Sequence, residues 1–149
     1  MIGRQRGQVL AFFAIVLPII LLPIAAYAVD AAFVSTRAAW LQEATAQAAE
    51  AAAQQVDVAA LRSRSVLTID LSTARGVATQ AMAELEPGAS VESVVAVGTL
   101  VTVTTREVVT LPFNFVPVGA VQLNARASAR LVSGYDNPSS RLPLPTSTF

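Results

Sequence analysis

Three regimes of hydrophobic and polar spacing follow one another along the chain. From Gln8 to Val29 no side chain is charged and almost every position is apolar. As a helix rising ~1.5 Å per residue, these roughly 22 residues would be about 33 Å long, matching a bilayer hydrocarbon core of roughly 30 Å. The second regime runs from Asp30 to Gln55, DAAFVSTRAAWLQEATAQAAEAAAQQ, in which Ala, Leu, Gln and Glu dominate without Gly or Pro. Helix propensity there is close to maximal, so the helix is expected to continue past the apolar run. At ~100° per residue, Phe33, Val34, Trp40, Leu41, Ala44, Ala48, Ala51 and Ala52 share one side. Ser35, Thr36, Gln42, Glu43, Gln47, Glu50 and Gln54 share the other. One rod from about Gln8 to Gln55 would be roughly 70 Å long, half in lipid and half packed on something outside it. Pro18 and Pro23 each remove a helical hydrogen bond, which membrane helices tolerate, so a bend rather than a break is expected.

After Gln55 the periodicity weakens. VDVAALRSRSVLTI holds a short helical turn or connector with Asp57 as its N-cap. A second helix is clearer: Asp70 caps LSTARGVATQAMAELE, Pro87-Gly88 stops it, and Leu71, Ala74, Val77, Ala78, Ala81, Met82 and Leu85 form its apolar face. Gly76 inside that helix costs about 1 kcal/mol relative to Ala, which close helix packing would explain. From Ser90 onward the third regime sets in, with a period of two and Val, Thr and Leu in place of Ala. SVESVVAV and LVTVTTREVV flank Gly98-Thr99 as a hairpin, the second strand alternating Val101 and Val103 with Thr102 and Thr104. Pro112 and Pro117 make Leu111 to Gly119 a loop or edge segment with two aromatic anchors. In the last strand Val121, Leu123, Ala125, Ala127, Ala129 and Leu131 face one way, and Gln122, Asn124, Arg126, Ser128 and Arg130 the other. Such a sheet has one wet and one buried face, and the two helices are expected to cover the buried one. The fold class is α+β: a long N-terminal helix with a membrane-spanning and an amphipathic half, a second helix, and a small antiparallel sheet.

Composition narrows the chemistry. The ten basic residues are all Arg and balance ten acidic ones, so no nucleic-acid partner is expected. The chain has no Cys, His or Lys. That removes disulfides, thiolate zinc sites and cysteine nucleophiles, then the commonest general base and metal ligand, then phosphate-loop and Schiff-base chemistry. Paired carboxylates such as Glu84 with Glu86, or Asp57 with Asp70, read as helix-surface and capping residues. No catalytic, cofactor-binding or metal-ligating residue is expected. A membrane-tethered enzyme would need a polar cluster in a cleft, which this composition disfavours.

Arg4 and Arg6 precede the apolar run and no positive charge follows until Arg37. By the positive-inside rule the N-terminus stays in the cytoplasm and the remainder is exported. The expected organisation is a basic leader at 1–7, a transmembrane helix at 8–29, its amphipathic extension at 30–55, an exported α+β domain at 56–132, and a Pro/Ser-rich flexible tail at 133–149. The rival is a secretory signal cut after Ala28, because AAYA satisfies the small-x-small rule; it would release a secreted or surface adhesion module.

Arg6-Gly7, Phe13-Ala14, Leu17-Pro18, Val29-Asp30, Arg37 and Leu41-Gln42 occur in that order, followed by EATAQAAEAAA. In order and spacing, Arg6 to Ala52 resembles the N-terminal module of the tight-adherence (Tad) pilus assembly proteins, the TadE/TadG-like, pilin-related group. The resemblance implies a pilin-like, membrane-anchored structural protein without a cofactor. Its partners would be the membrane and other pilin-like or pilus assembly subunits, with self-association through the N-terminal helix. It places the chain in the cytoplasmic membrane, single-pass, or in a surface pilus. Pilin precursors similar to this group are cut after a Gly, which makes Gly7 and Gln8 the candidate prepilin-peptidase site. Such precursors usually carry Glu five residues beyond the Gly; Phe12 stands there in this chain, which leans toward the TadG-like side, whose members often lack that Glu. Ala46 stands where the family commonly has Asp. Phe12, Phe13, Ile15, Pro18, Ile19, Ile20 and Leu22 are the expected assembly or anchor contacts, and Asp30 and Arg37 mark the exit from the membrane.

Overall fold

The Ala-rich segment and the apolar run form one uninterrupted helix, α1 (Arg4–Ala53, 50 residues), in a computed structural model that describes residues 4–113 and 119–131. The expected tail at 133–149 and the centre of the Leu111 to Gly119 segment lie outside the described residues. α1 begins within the basic leader rather than at Gln8, and passes through Pro18 and Pro23 without ending. Each proline deprives one carbonyl of its helical donor, that of Ala14 and that of Ile19, but long runs of strong helix formers on either side hold the register.

A short helix, α2 (Val58–Arg64), follows, its N-terminus capped by Asp57 Oδ1, which accepts the Ala60 N–H at 2.8 Å. Backbone bonds close the base of this excursion, from the Asp57 N–H to the Thr68 carbonyl and from the Asp70 N–H to the Gln55 carbonyl, each 2.9 Å. Helix α3 (Leu71–Leu85) is capped by Asp70 and ends where the Glu86 N–H reaches the Met82 carbonyl, just before Pro87. Both N-caps are the aspartates that the sequence indicates.

Strands β1 (Ala89–Val97), β2 (Leu100–Thr110) and β3 (Ala120–Arg130) form an antiparallel meander in the order β1-β2-β3. The Gly98-Thr99 loop joins the first pair, with Gly98 at φ +60° and Thr99 at negative φ. That order suits a primed hairpin turn opening on glycine, where a side chain at the first position would be strained. β2 and β3 pair without interruption, whereas the β1–β2 register shifts between Val91 and Ser93. This bulge at Glu92 explains why β1 shows no clean alternation: Val91 faces inward before it, Val94 and Ala96 after it.

The inner face of the sheet is covered by α1 and α3, as the exposed-and-buried alternation requires. Ala48, Ala49 and Ala52 of α1 and Ala74 and Ala78 of α3 are fully buried. Ala49, Ala52, Ala74 and Ala78 pack with Val94, Val101 and Val103 in one cluster, and Leu41, Ala44 and Ala48 with Met82 and Ala125 in another. Methyl-sized side chains on both helices let the backbones approach the sheet closely, so the core gains contact from proximity rather than from large residues.

Three expectations about packing are corrected. Trp40 is 54% exposed, because the buried arc of α1 is centred on Leu41 and Ala48 and Trp40 lies one residue step, about 100°, away from Leu41. Gly76 has no neighbour that an added Cβ would meet within 4 Å, so close packing does not account for it. Leu71 and Leu85, placed on the apolar face of α3, are also largely exposed, at its two ends.

Candidate functional site

The two halves of α1 differ completely in what surrounds them. In the first half Phe12, Phe13, Ile15, Ile19, Ile20 and Leu22 are each more than half exposed, and Pro18 is exposed with them. Their neighbours Val9, Leu10, Leu17, Leu21 and Ile24 are exposed too, so this half is apolar all round rather than along one stripe. A helix of that kind needs an apolar solvent or other helices. Among the described residues one helix, α1, is long and apolar enough to cross a membrane. Phe12 and Phe13 meet edge to face at 6.0 Å between ring centroids and make a shared aromatic knob. Gly7 and Gln8 fall within the first turns of α1.

In the second half, α1 is fastened to the domain by polar contacts placed one above another on its buried arc. Asp30 is buried, and its Oδ1 accepts the backbone N–H of Phe113 at 3.1 Å. Two turns further on, Arg37 Nη2 donates to Glu86 Oε1 at 2.6 Å and also to Glu107 Oε1. One nitrogen thereby ties α1 to the end of α3 and to β2. Glu107 is 4% exposed, and its Oε2 has no hydrogen-bond partner among the described residues. Hydrogen bonding to Glu107 first, and to Glu86 second, raises the Arg37 pKa above its ordinary value. The guanidinium also lies over the Trp40 ring, 5.7 Å from its centroid. Two turns beyond, Thr45 and Thr105 are fully buried with their hydroxyls 2.6 Å apart. Thr45 Oγ1 also lies 2.6 Å from the Leu41 carbonyl. A hydroxyl has one proton, so Thr45 donates to Leu41 and Thr105 donates to Thr45.

Asp30 and Arg37, expected from the sequence to mark a membrane exit, are both built into the join between helix and domain. Glu86 is a clamp residue rather than a helix-surface carboxylate. Sequence reasoning does not single out Glu107, Thr45 or Thr105, although a signal exists. Extending the Val101, Val103 alternation along β2 places Thr105 and Glu107 on the inward face, and Arg37 and Thr45 fall on the same arc of α1 as Leu41 and Ala48. Among the described residues no three carboxylates converge as a metal cradle, and the acidic groups that do meet are joined through Arg37. Asp57 and Asp70 act as caps, and Glu84 accepts from Gln80 on the surface of α3.

The join ties the Ala-rich half of α1 to β2 and to the end of α3, directly beside the exposed apolar half of the same helix. Compared with models of known protein families, with curated proteins and with solved structures, the chain matches none.

Proposed function

We propose that the chain is a structural, membrane-anchored, pilin-like component of a Tad-type pilus or of its assembly machinery. The observation that supports this most directly is the single helix with two unlike halves. One half is apolar all round and exposed; the other is the core helix of a small domain. The order of Arg6-Gly7, Phe13-Ala14, Leu17-Pro18, Val29-Asp30 and Leu41-Gln42 supports the family. In this reading the basic N-terminus stays in the cytoplasm and the domain faces outward.

Its action is physical. Before assembly, lipid surrounds Phe12, Phe13, Ile15, Ile19, Ile20 and Leu22; on assembly these side chains exchange lipid for neighbouring helices, so packing replaces bilayer burial. The polar join at Asp30, Arg37 and Thr45 keeps the domain from swinging on the rod during that exchange. Phe12 stands where filament subunits usually have Glu, and in a chain that never leaves the membrane the same apolar side chains simply anchor it.

The test is the mature N-terminus of protein isolated from its native membrane, read by intact mass. A start at Gln8 means that Gly7-Gln8 is cut and the chain is processed as a pilin. Retention of residues 1–7 means a resident anchor. A start at Val29 means release by signal peptidase and sinks the proposal. Loss of surface pili on deletion of the gene is the accompanying phenotype.

A further inference from the structure

On the domain side, residues 111–113, directly after β2, bring Phe113 against α1 beside Asp30. Phe113 is held there by its own backbone, whose N–H bonds to Asp30 Oδ1, and the residue is 59% exposed. Together with Leu22, Ala25, Ala26 and Val29, Phe113 lines an apolar cleft of about 300 Å³. Those four positions follow the i, i+3, i+4, i+7 spacing of one helix face. They belong to the uncharged run, and Leu22 lies about 10 Å along the helix from Val29, its last residue. Phe113 thus sits over a stretch of α1 that, in a spanning helix, is within the hydrocarbon.

We infer that Phe113 is a second membrane contact: its side chain enters the outer leaflet beside α1, and lipid acyl chain fills the cleft between them. This rests on the reading of α1 as a membrane anchor. Acyl chain is the fitting occupant because the cleft has no charged or hydroxyl lining residue and is continuous with the exposed face of the apolar run. Asp30 also needs such an arrangement. It is the first charged residue after the run, and a carboxylate at a membrane boundary is unfavourable unless paired or covered. The Phe113 backbone supplies that partner, its N–H donating to Asp30 Oδ1 while the carboxylate stays buried. The domain would then rest on the membrane at two points, the rod and Phe113, which fixes its tilt as one anchor alone would not.

The whole chain, reconstituted in phosphatidylcholine vesicles, provides the test. Trp40 is replaced by Phe, and single tryptophans are placed by Phe113→Trp or Leu21→Trp, with the unaltered Trp40 chain as the reporter outside the bilayer. Lipids brominated near the headgroup end of the acyl chain are expected to remove most of the fluorescence of the Phe113→Trp chain and little of that from Trp40. Quenching of the Leu21→Trp chain but not the Phe113→Trp chain overturns the inference and leaves the anchor intact; a second copy of the chain filling the cleft gives that result. If neither is quenched, the anchor reading itself fails. Should Phe113→Trp disturb the fold, the unaltered chain can be labelled with a phosphatidylcholine carrying an acyl-chain diazirine. Label on the peptide containing Phe113 as well as on α1 supports the inference, and label on α1 alone overturns it.

Discussion

Arg37 of α1 and Glu107 of β2, 70 positions apart, form a direct ion pair across the interface between helix and sheet, and Glu107 is almost completely buried. Burial makes this pair asymmetric in consequence. A surface ion pair can be lost at little cost, but an interior carboxylate without its cation keeps its desolvation penalty and loses the compensation. Arg37→Leu is therefore expected to lower the unfolding free energy of the domain by about 3 kcal/mol. Denaturant titration in detergent micelles, followed by circular dichroism, measures this. Adding Glu107→Gln to Arg37→Leu should recover a large part of the loss. A double variant no more stable than the single one would mean that Arg37 acts through Glu86 or Trp40 instead.

The Thr45 and Thr105 hydroxyls give a second test of coupling. Thr45→Val removes the acceptor that the Thr105 hydroxyl uses and leaves that hydroxyl buried and unmatched, at a cost of about 1–3 kcal/mol. Replacing both threonines with valine removes donor and acceptor together at nearly constant shape, so the double variant should be close to wild type. Strictly additive losses in the same titration would rule out the relay from Thr105 through Thr45 to the Leu41 carbonyl.

What is legible in the sequence depends on whether a signal is local. The rod from the apolar run into the Ala-rich segment, the aspartate caps at 57 and 70, the turn at Gly98-Thr99 and the alternation of β3 all follow from spacing within a few residues, and each is present. The bulge at Glu92 is not legible, because one extra residue reverses the facing of a strand without leaving a compositional mark. The polar join is only half legible. Asp30 and Arg37 stand out as the first charges after an apolar run, but their partners Phe113, Glu86 and Glu107 come from elements distant in sequence. Inward-facing polar residues on β2 hint at such partners; pairing them with Arg37 and Thr45 requires the crossing geometry of helix and sheet. Trp40 shows the opposite error, in which a large apolar residue pulls the expected centre of the buried arc toward itself.

Gly76 supplies a prediction of the opposite sign to most core substitutions. It lies in the interior of α3, exposed, at ordinary helical φ, with open space where a Cβ would be. Alanine there lowers the entropy of the unfolded chain and adds helix propensity without meeting a neighbour. Gly76→Ala should stabilise the domain by about 0.5–1 kcal/mol, seen as a higher denaturant midpoint at unchanged slope. A destabilised variant would show that α3 meets a partner at this position in the assembled state of the purified protein.

Asp70 makes part of the stability of α3 depend on acidity, and the sign follows from the direction of its shift. Hydrogen bonds from the Ser72 and Thr73 hydroxyls, with the Thr73 and Ser72 backbone N–H groups, hold its carboxylate at about 2, below the ordinary 3.8. A carboxylate with a depressed folded pKa stabilises the fold above its unfolded pKa and loses that contribution as the pH falls through the folded value. The window thus runs from about pH 4 down to about pH 2. Asp70→Asn keeps a side-chain acceptor at the cap but cannot titrate, so the variant should melt below wild type near neutral pH. As the pH is lowered through the window, the gap in melting temperature should close. Comparing the two proteins at each pH cancels the other carboxylates, whose titration both chains share. A gap that stays constant from neutral pH to the bottom of the window would show that the aspartate charge contributes nothing beyond the cap's geometry.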